Sequence, residues 1–96
     1  MILHPLSLPV DIGLTGAPFT PVDVDGASLV SIINTSAGVV YITVNDTVPT
    51  RIGIAAGERV LLEKEYTVTI QASTAADGTG NPGANVVLAT KVAYAG

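Results

Sequence analysis

Cysteine and tryptophan are both absent from this 96-residue chain. Without a thiol there is no disulfide, no thiolate zinc site, no iron–sulfur cluster and no cysteine nucleophile. The compartment stays open, because a cysteine-free chain folds equally well in oxidising or reducing surroundings. Charge is scarce too. Asp, Glu, Lys and Arg make up 12% of residues, against about 25% in ordinary soluble domains. The four cations, Arg51, Arg59, Lys64 and Lys91, are scattered in a chain of net charge −4. They do not make a surface that neutralises a run of phosphates, so no nucleic-acid partner is expected. No run approaches the ~20 apolar residues of a membrane-spanning helix, so no membrane partner is expected. Met1 to Gly16 carries no Lys or Arg and is broken by Pro5, Pro9 and Asp11, which does not read as a signal peptide.

The apolar content is ordinary at 48%, and mean hydropathy is +0.55. That excludes a disordered chain. A small domain also exposes much surface for its volume, and eight carboxylates with four cations cover it thinly. A homo-oligomer is therefore expected, with a trimer favoured. No window of ten or more residues repeats its apolar positions every 3.6 residues. Strand patterns recur instead: Ser28–Asn34 (SLVSIIN), Val39–Asn45 (VVYITVN), Arg51–Ile54, Arg59–Glu63, Tyr66–Ala72 (YTVTIQA) and Val86–Tyr94 (VVLATKVAY). Alternation of period two and β-branched content mark half-buried strands. Polar turns separate them, among them Asn34–Gly38 and Ala55-Ala56-Gly57-Glu58. The expectation is an all-β fold, a small antiparallel β-sandwich or compact barrel of about six to eight short strands.

Residues 1–27 differ from the rest. Four of the six prolines lie here, at positions 5, 9, 18 and 21, and proline forbids helix and central strand. Large apolar residues are nonetheless frequent. The segment reads as an extended N-terminal arm, partly strand, that packs on its own domain or a neighbour. Leu6, Leu8, Val10, Ile12, Leu14 and Phe19 are its candidate partner contacts. Removing residues up to Ala17 is expected to leave a folded domain over 28–96. Within that domain Ser73–Asn85 (STAADGTGNPGAN) reads as a flexible loop, since it has little to bury.

Chemistry-bearing patterns are few. Gly78, Gly80 and Gly83 spell G-x-G-x-x-G, but Pro82 interrupts it and a strand follows, where a dinucleotide site needs a helix N-terminus. Asp23-Val24-Asp25-Gly26 opens like a calcium loop but lacks the third ligand and the closing acid. His4, the single histidine, has no evident orienting partner, so the common hydrolase constellations lack a base. Glu58, Glu63 and Glu65 fit a solubilising role on a strand pair better than a glycosidase pair. Asn34-Thr35-Ser36 and Asn45-Asp46-Thr47 are formal glycosylation sequons that fall in turns. No catalytic centre, cofactor site or metal site is expected, and the chain reads as a structural or binding module.

Three features carry a family likeness. A strand runs into Asn34-Thr35-Ser36-Ala37 and out through Val39, Tyr41 and Thr43. Ile54-Ala55-Ala56-Gly57-Glu58-Arg59-Val60 makes an apolar, small, small, Gly-Glu turn. The C-terminal strand ends Thr90-Lys91-Val92-Ala93-Tyr94. Over Leu29 to Tyr94 the chain thereby resembles small β-sandwich virion proteins of tailed bacteriophages. The resemblance implies a capsid decoration or cement protein on the outer capsid surface. Its partners would be the major capsid protein or other virion subunits. The alternatives are a tail, portal-adaptor or fibre component, or a small ligand- or carbohydrate-binding β module. Sparse aromatics and the lack of tryptophan weigh against the sugar-binding role.

Overall fold

In the computed structural model, which describes residues 2–13 and 21–95, the alternating segments become strands. They are β1 (Ile2–Pro5), β2 (Val10–Asp11), β3 (Leu29–Asn34), β4 (Val40–Val44), β5 (Thr50–Ile54), β6 (Arg59–Glu63), β7 (Ile70–Ser73) and β8 (Val87–Ala95). They form two antiparallel sheets. In the larger, β1 and β2 lie along one side of β8, β3 along the other, and β6 beyond β3; the smaller is ordered β5-β4-β7. The fold is all-β and sandwich-like, as expected.

Register decides which side chains meet. Opposite residues of an antiparallel pair share a face. Val30 and Ile32 of β3 stand with Leu62 and Val60 of β6, and Ile32 with Ala89 of β8. Across the gap, Val40 and Ile42 of β4 stand with Ile54 of β5 and Ala72 of β7. These inward sets join one buried core. Each fully buried Ile or Val contributes about 1.5–3 kcal/mol of transfer free energy.

β7 starts later than its sequence alternation suggests. A turn closed by the Val68 N–H on the Glu65 carbonyl (3.0 Å) occupies Glu65–Val68, and Tyr66 is exposed rather than stacked beside Ile70.

The N-terminal arm belongs to this sandwich wherever it is described. Between Pro5, opposite Val92, and Val10, opposite Ala89, the arm takes five steps while β8 takes three. The surplus bulges outward at Leu6–Pro9, where Leu8 is 84% exposed. The Leu6 N–H donates to the Lys91 carbonyl (2.7 Å), and the Ser7 hydroxyl accepts the Lys91 N–H (3.1 Å) in place of a ladder carbonyl. Pro5 and Pro9 sit on an edge, where a missing N–H costs no ladder bond. The arm then crosses between sheets. Ile12 donates its N–H to Val87 of one sheet (3.0 Å) and accepts the N–H of Ala72 of the other (3.1 Å). Val22 exchanges two backbone bonds with Ile70.

This changes the division at residue 27. Ile12, Val24 and Ala27 lie in the same core as Val30 and Ile42, so the boundary does not separate two packing units. Cutting the chain at Ala17 would remove β1, β2 and Ile12 with them. The expectation that such a deletion leaves a folded domain is therefore revised.

Two chain crossings between the sheets, β3 to β4 and β5 to β6, are tied by one residue. Asn34 is fully buried. Its Nδ2 donates to the carbonyls of Gly38 (2.8 Å), Ile54 (3.0 Å) and Ala55 (3.1 Å). Its Oδ1 accepts from the Ser36 N–H (2.9 Å) and hydroxyl (2.7 Å). Its own backbone accepts from Gly57 and donates to Glu58. Gly57 holds φ of 76°, a turn conformation that costs glycine nothing.

The loop between β7 and β8 is more organised than its composition suggests. The Asp77 carboxylate accepts from the Thr79 N–H (3.0 Å) and hydroxyl (2.6 Å). The Asn85 N–H donates to Asp11 (2.7 Å), whose other oxygen accepts the Gly13 N–H (2.9 Å). A Cβ on Gly13 would stand 3.1 Å from the Gly83 carbonyl oxygen. The loop is thus pinned to the arm.

Candidate functional site

The outer faces of the two sheets differ in chemistry. On the smaller sheet the outward residues are polar apart from Tyr41 and Gly53, with Val39 at one end. Thr43 lies beneath Arg51, whose Nε donates to its hydroxyl (2.9 Å), and Ser73 and Gln71 stand on β7. On the larger sheet Ile33 stands with Leu88 and Leu3 with Tyr94; Leu29 and Val92, on the same side, are already buried within the chain. Only Ser31 and Thr90 interrupt the middle of this face, and Arg59 and Glu63 flank Leu61 at its β6 edge.

Two depressions mark this face. A shallow open groove of about 720 Å³ is lined by Leu29, Glu63, Lys64, Tyr66 and Tyr94 among others. Its two tyrosines are 64% and 49% exposed. A second, of about 380 Å³, lies between the arm and Arg59, with Leu3, Pro5 and Pro9 on one side. The Arg59 Nη1 donates to Ser31 (2.7 Å). Val92 lines both, so the two are parts of one surface. Lys64 donates to the Ala27 carbonyl (2.7 Å). Burial pushes its ammonium below the usual lysine value, and nearby Asp23 opposes the shift.

The candidate contacts of the arm do not act as a set. Leu6 and Leu8 are exposed on the bulge. Val10 packs against the core, and Ile12 is 1% exposed within it. Ile12 is a sandwich residue, not a partner contact, because its backbone joins both sheets and its side chain fills the gap between them. Leu14 and Phe19 lie outside the described residues.

The remaining motifs take structural roles. Gly78, Gly80 and Gly83 all have positive φ in the loop and lead into β8 without a helix. Asp23–Gly26 makes a left-handed turn in which Val24 and Asp25 both take φ of 58°, and Val24 is buried. Burying Val24 offsets the roughly 1–2 kcal/mol per residue of that conformation. Among the described residues no three His, Cys, Asp or Glu side chains gather as metal ligands. His4 is exposed on β1 opposite Ala93. Glu58 accepts the Ala55 N–H (3.1 Å) at one end of β6, while Glu63 and Glu65 line the groove at the other. The buried Asn34 amide uses its donors internally, so the folded chain cannot present it for glycosylation. Among the described residues no helix is long and apolar enough to cross a membrane.

Reading the sequence for single motifs missed this face. Its signal lay in β3 and β8, apolar at both odd and even positions, a pattern of strands covered on both sides. No protein-family model, curated protein or solved structure matches the chain.

Proposed function

We propose that the chain is a virion structural protein that decorates and cements a tailed-phage capsid by bridging capsid subunits. Its attachment surface is the outer face of the β1-β8-β3-β6 sheet, extended by Leu6 and Leu8 on the bulge. One observation supports this reading above the rest: the larger sheet is the more apolar of the two on its outer side, where the smaller carries Thr43, Arg51, Gln71 and Ser73 with Val39 and Tyr41 at one end. Leu29 and Val92 of that face are covered within the chain, but Leu61, Tyr94, Leu6 and Leu8 stay exposed, and a subunit laid across a seam buries them at about 25 cal/mol per Å². Association costs are then subtracted, and a homo-oligomer multiplies the holding strength without new contacts. Scarce surface charge lowers the desolvation cost of such a contact.

The experiment is cosedimentation with phage particles assembled without the protein. The native chain is expected to pellet with particles, and Tyr94→Glu with Leu8→Ser to remain in solution while keeping the native β-sheet circular dichroism. Binding unchanged by these substitutions would overturn the assignment of the face. Absence of any binding to capsids would overturn the cement role. Labelling at tail or portal would place the protein elsewhere in the virion.

The exposed pair Tyr66 and Tyr94, with Glu63 and Glu65 beside them, supports a second reading as a carbohydrate-binding module, since tyrosine faces can stack on sugar rings. Tyr66→Ala would then abolish binding to an immobilised glycan.

A further inference from the structure

Strand β6 is the open edge of the larger sheet. β3 pairs one side of it, and among the described residues no strand pairs the other. The Asn34 N–H donates to the Glu58 carbonyl, and the Lys64 N–H to that of Ser28. An antiparallel ladder alternates the direction of its backbone groups. Those two bonds therefore set the phase: Val60 and Leu62 turn their backbone toward β3, and Arg59, Leu61 and Glu63 turn theirs to the open edge. The same three residues carry their side chains on the outer face, where Leu61 is 41% exposed.

Edge strands are usually guarded by proline, a bulge or inward-pointing charge. β6 has no proline or bulge, and its two charges point outward, with opposite signs. They stand two residues either side of Leu61. Outward from that centre, in Arg59–Glu63 (RVLLE), every residue meets its complement. Val60 answers Leu62 and Arg59 answers Glu63; Glu58 and Lys64, the next pair out, are opposite in charge but engaged within their own chain, with Ala55 and Ala27.

From this self-complementarity we infer that β6 pairs antiparallel with β6 of a second copy of the chain, about a two-fold axis at Leu61. Leu61 then faces its own copy, and Arg59 faces Glu63 of the other chain on both sides of the axis. All three outward residues enter hydrogen-bonded pairs, and two five-stranded sheets become one. In the single chain Arg59 leans over β3, where it donates one N–H to Ser31; in the pair its remaining donors turn to the carboxylate. A two-fold contact is isologous and closes on itself. It makes a dimer, in place of the trimer expected from composition, and joins two apolar outer faces into one surface. The contact stands independently of the virion reading, since the purified chain suffices to form it.

The test uses the full chain and its lack of cysteine. Sedimentation of the native protein at micromolar concentration is expected to give twice the 9.7 kDa chain mass. Hydrogen-bonded partners on facing strands have Cα atoms about 5.5 Å apart, within disulfide reach. Leu61→Cys is therefore expected to convert fully to a covalent dimer on mild oxidation, and Val48→Cys, in the β4–β5 loop, not to. Arg59→Glu is expected to weaken the dimer about tenfold, because two attractive pairs become repulsive. Adding Glu63→Arg is expected to restore it to within about threefold. Circular dichroism confirms that each variant is folded. A monomer or trimer by sedimentation, equal cross-linking at both positions, or a double variant as weak as the single would each overturn the inference.

Discussion

Replacing Asn34 tests whether one buried amide holds the two sheet crossings together. In Asn34→Ala the carbonyls of Gly38, Ile54 and Ala55 lose a donor, and the Ser36 N–H loses its acceptor. The bond to Ile54 is the buried one, so water cannot replace it. An unsatisfied buried group costs about 1–3 kcal/mol. The Gly38 and Ala55 carbonyls keep a second donor each, the Ser36 hydroxyl and the Glu58 N–H, so the Ile54 carbonyl and the Ser36 N–H carry most of the cost, about 2–3 kcal/mol in total. Against a usual 5–15 kcal/mol for a domain, that is a large fraction. It corresponds to a fall in Tm of roughly 8–24 °C at this size. Asn34→Asp is nearly isosteric and should be worse at neutral pH, because a carboxylate would face three carbonyl oxygens without a donor. Its folded pKa would be raised above the unfolded value. The folded state would then bind more protons, and the variant's stability relative to Asn34→Ala would rise as pH falls from the folded toward the unfolded pKa. Urea unfolding followed by circular dichroism, at pH 7 and pH 4.5, measures both variants. An alanine variant within 1 kcal/mol of the native protein, or an aspartate variant as stable as the native protein at pH 7, would refute the argument.

Ile12→Ala should cost about 3 kcal/mol, the usual loss for a filled core isoleucine. Deletion of residues 1–17 should abolish cooperative unfolding, and a stable deleted domain would show that the arm is not integral. At Asp77, the hydrogen bonds from the Thr79 hydroxyl and N–H hold the carboxyl below the usual aspartate range. Its contribution to loop order is therefore present above the ordinary pKa and lost as pH falls through the lowered one. An NMR titration should show the Thr79 amide moving with a midpoint below the ordinary aspartate value, and Thr79→Val should raise that midpoint; an unshifted midpoint would contradict the geometry.

Much of the fold was legible locally. Alternation in Val40–Val44 and the β-branched run Leu29–Asn34 mark strands because a strand's two faces follow directly from its residue order. The Ala55–Glu58 turn was likewise readable, since Gly57 suits positive φ. Alternation overran at Tyr66–Thr69, where a turn hydrogen bond outweighed the pattern. The roles of the arm were not readable, because proline and leucine in an extended segment fit docking on a neighbour as well as docking on β8. Only the register along β8 separates exposed Leu8 from buried Ile12. Asn34 looked like a turn residue in a sequon; that its amide spans two crossings depends on carbonyls twenty residues away. The candidate face was visible only as a hint, in strands apolar on both sides.

By itself, then, the sequence determined which segments become strands, that no thiol chemistry is available, and that little charge covers the surface, all properties of residues or of near neighbours. The tertiary structure alone decided that the arm closes the sandwich, which sheet keeps the more apolar outer face, and that β6 is left as an edge with Arg59 and Glu63 either side of Leu61. Those facts depend on which strands lie side by side, and strand pairing is fixed by contacts between residues far apart in the chain.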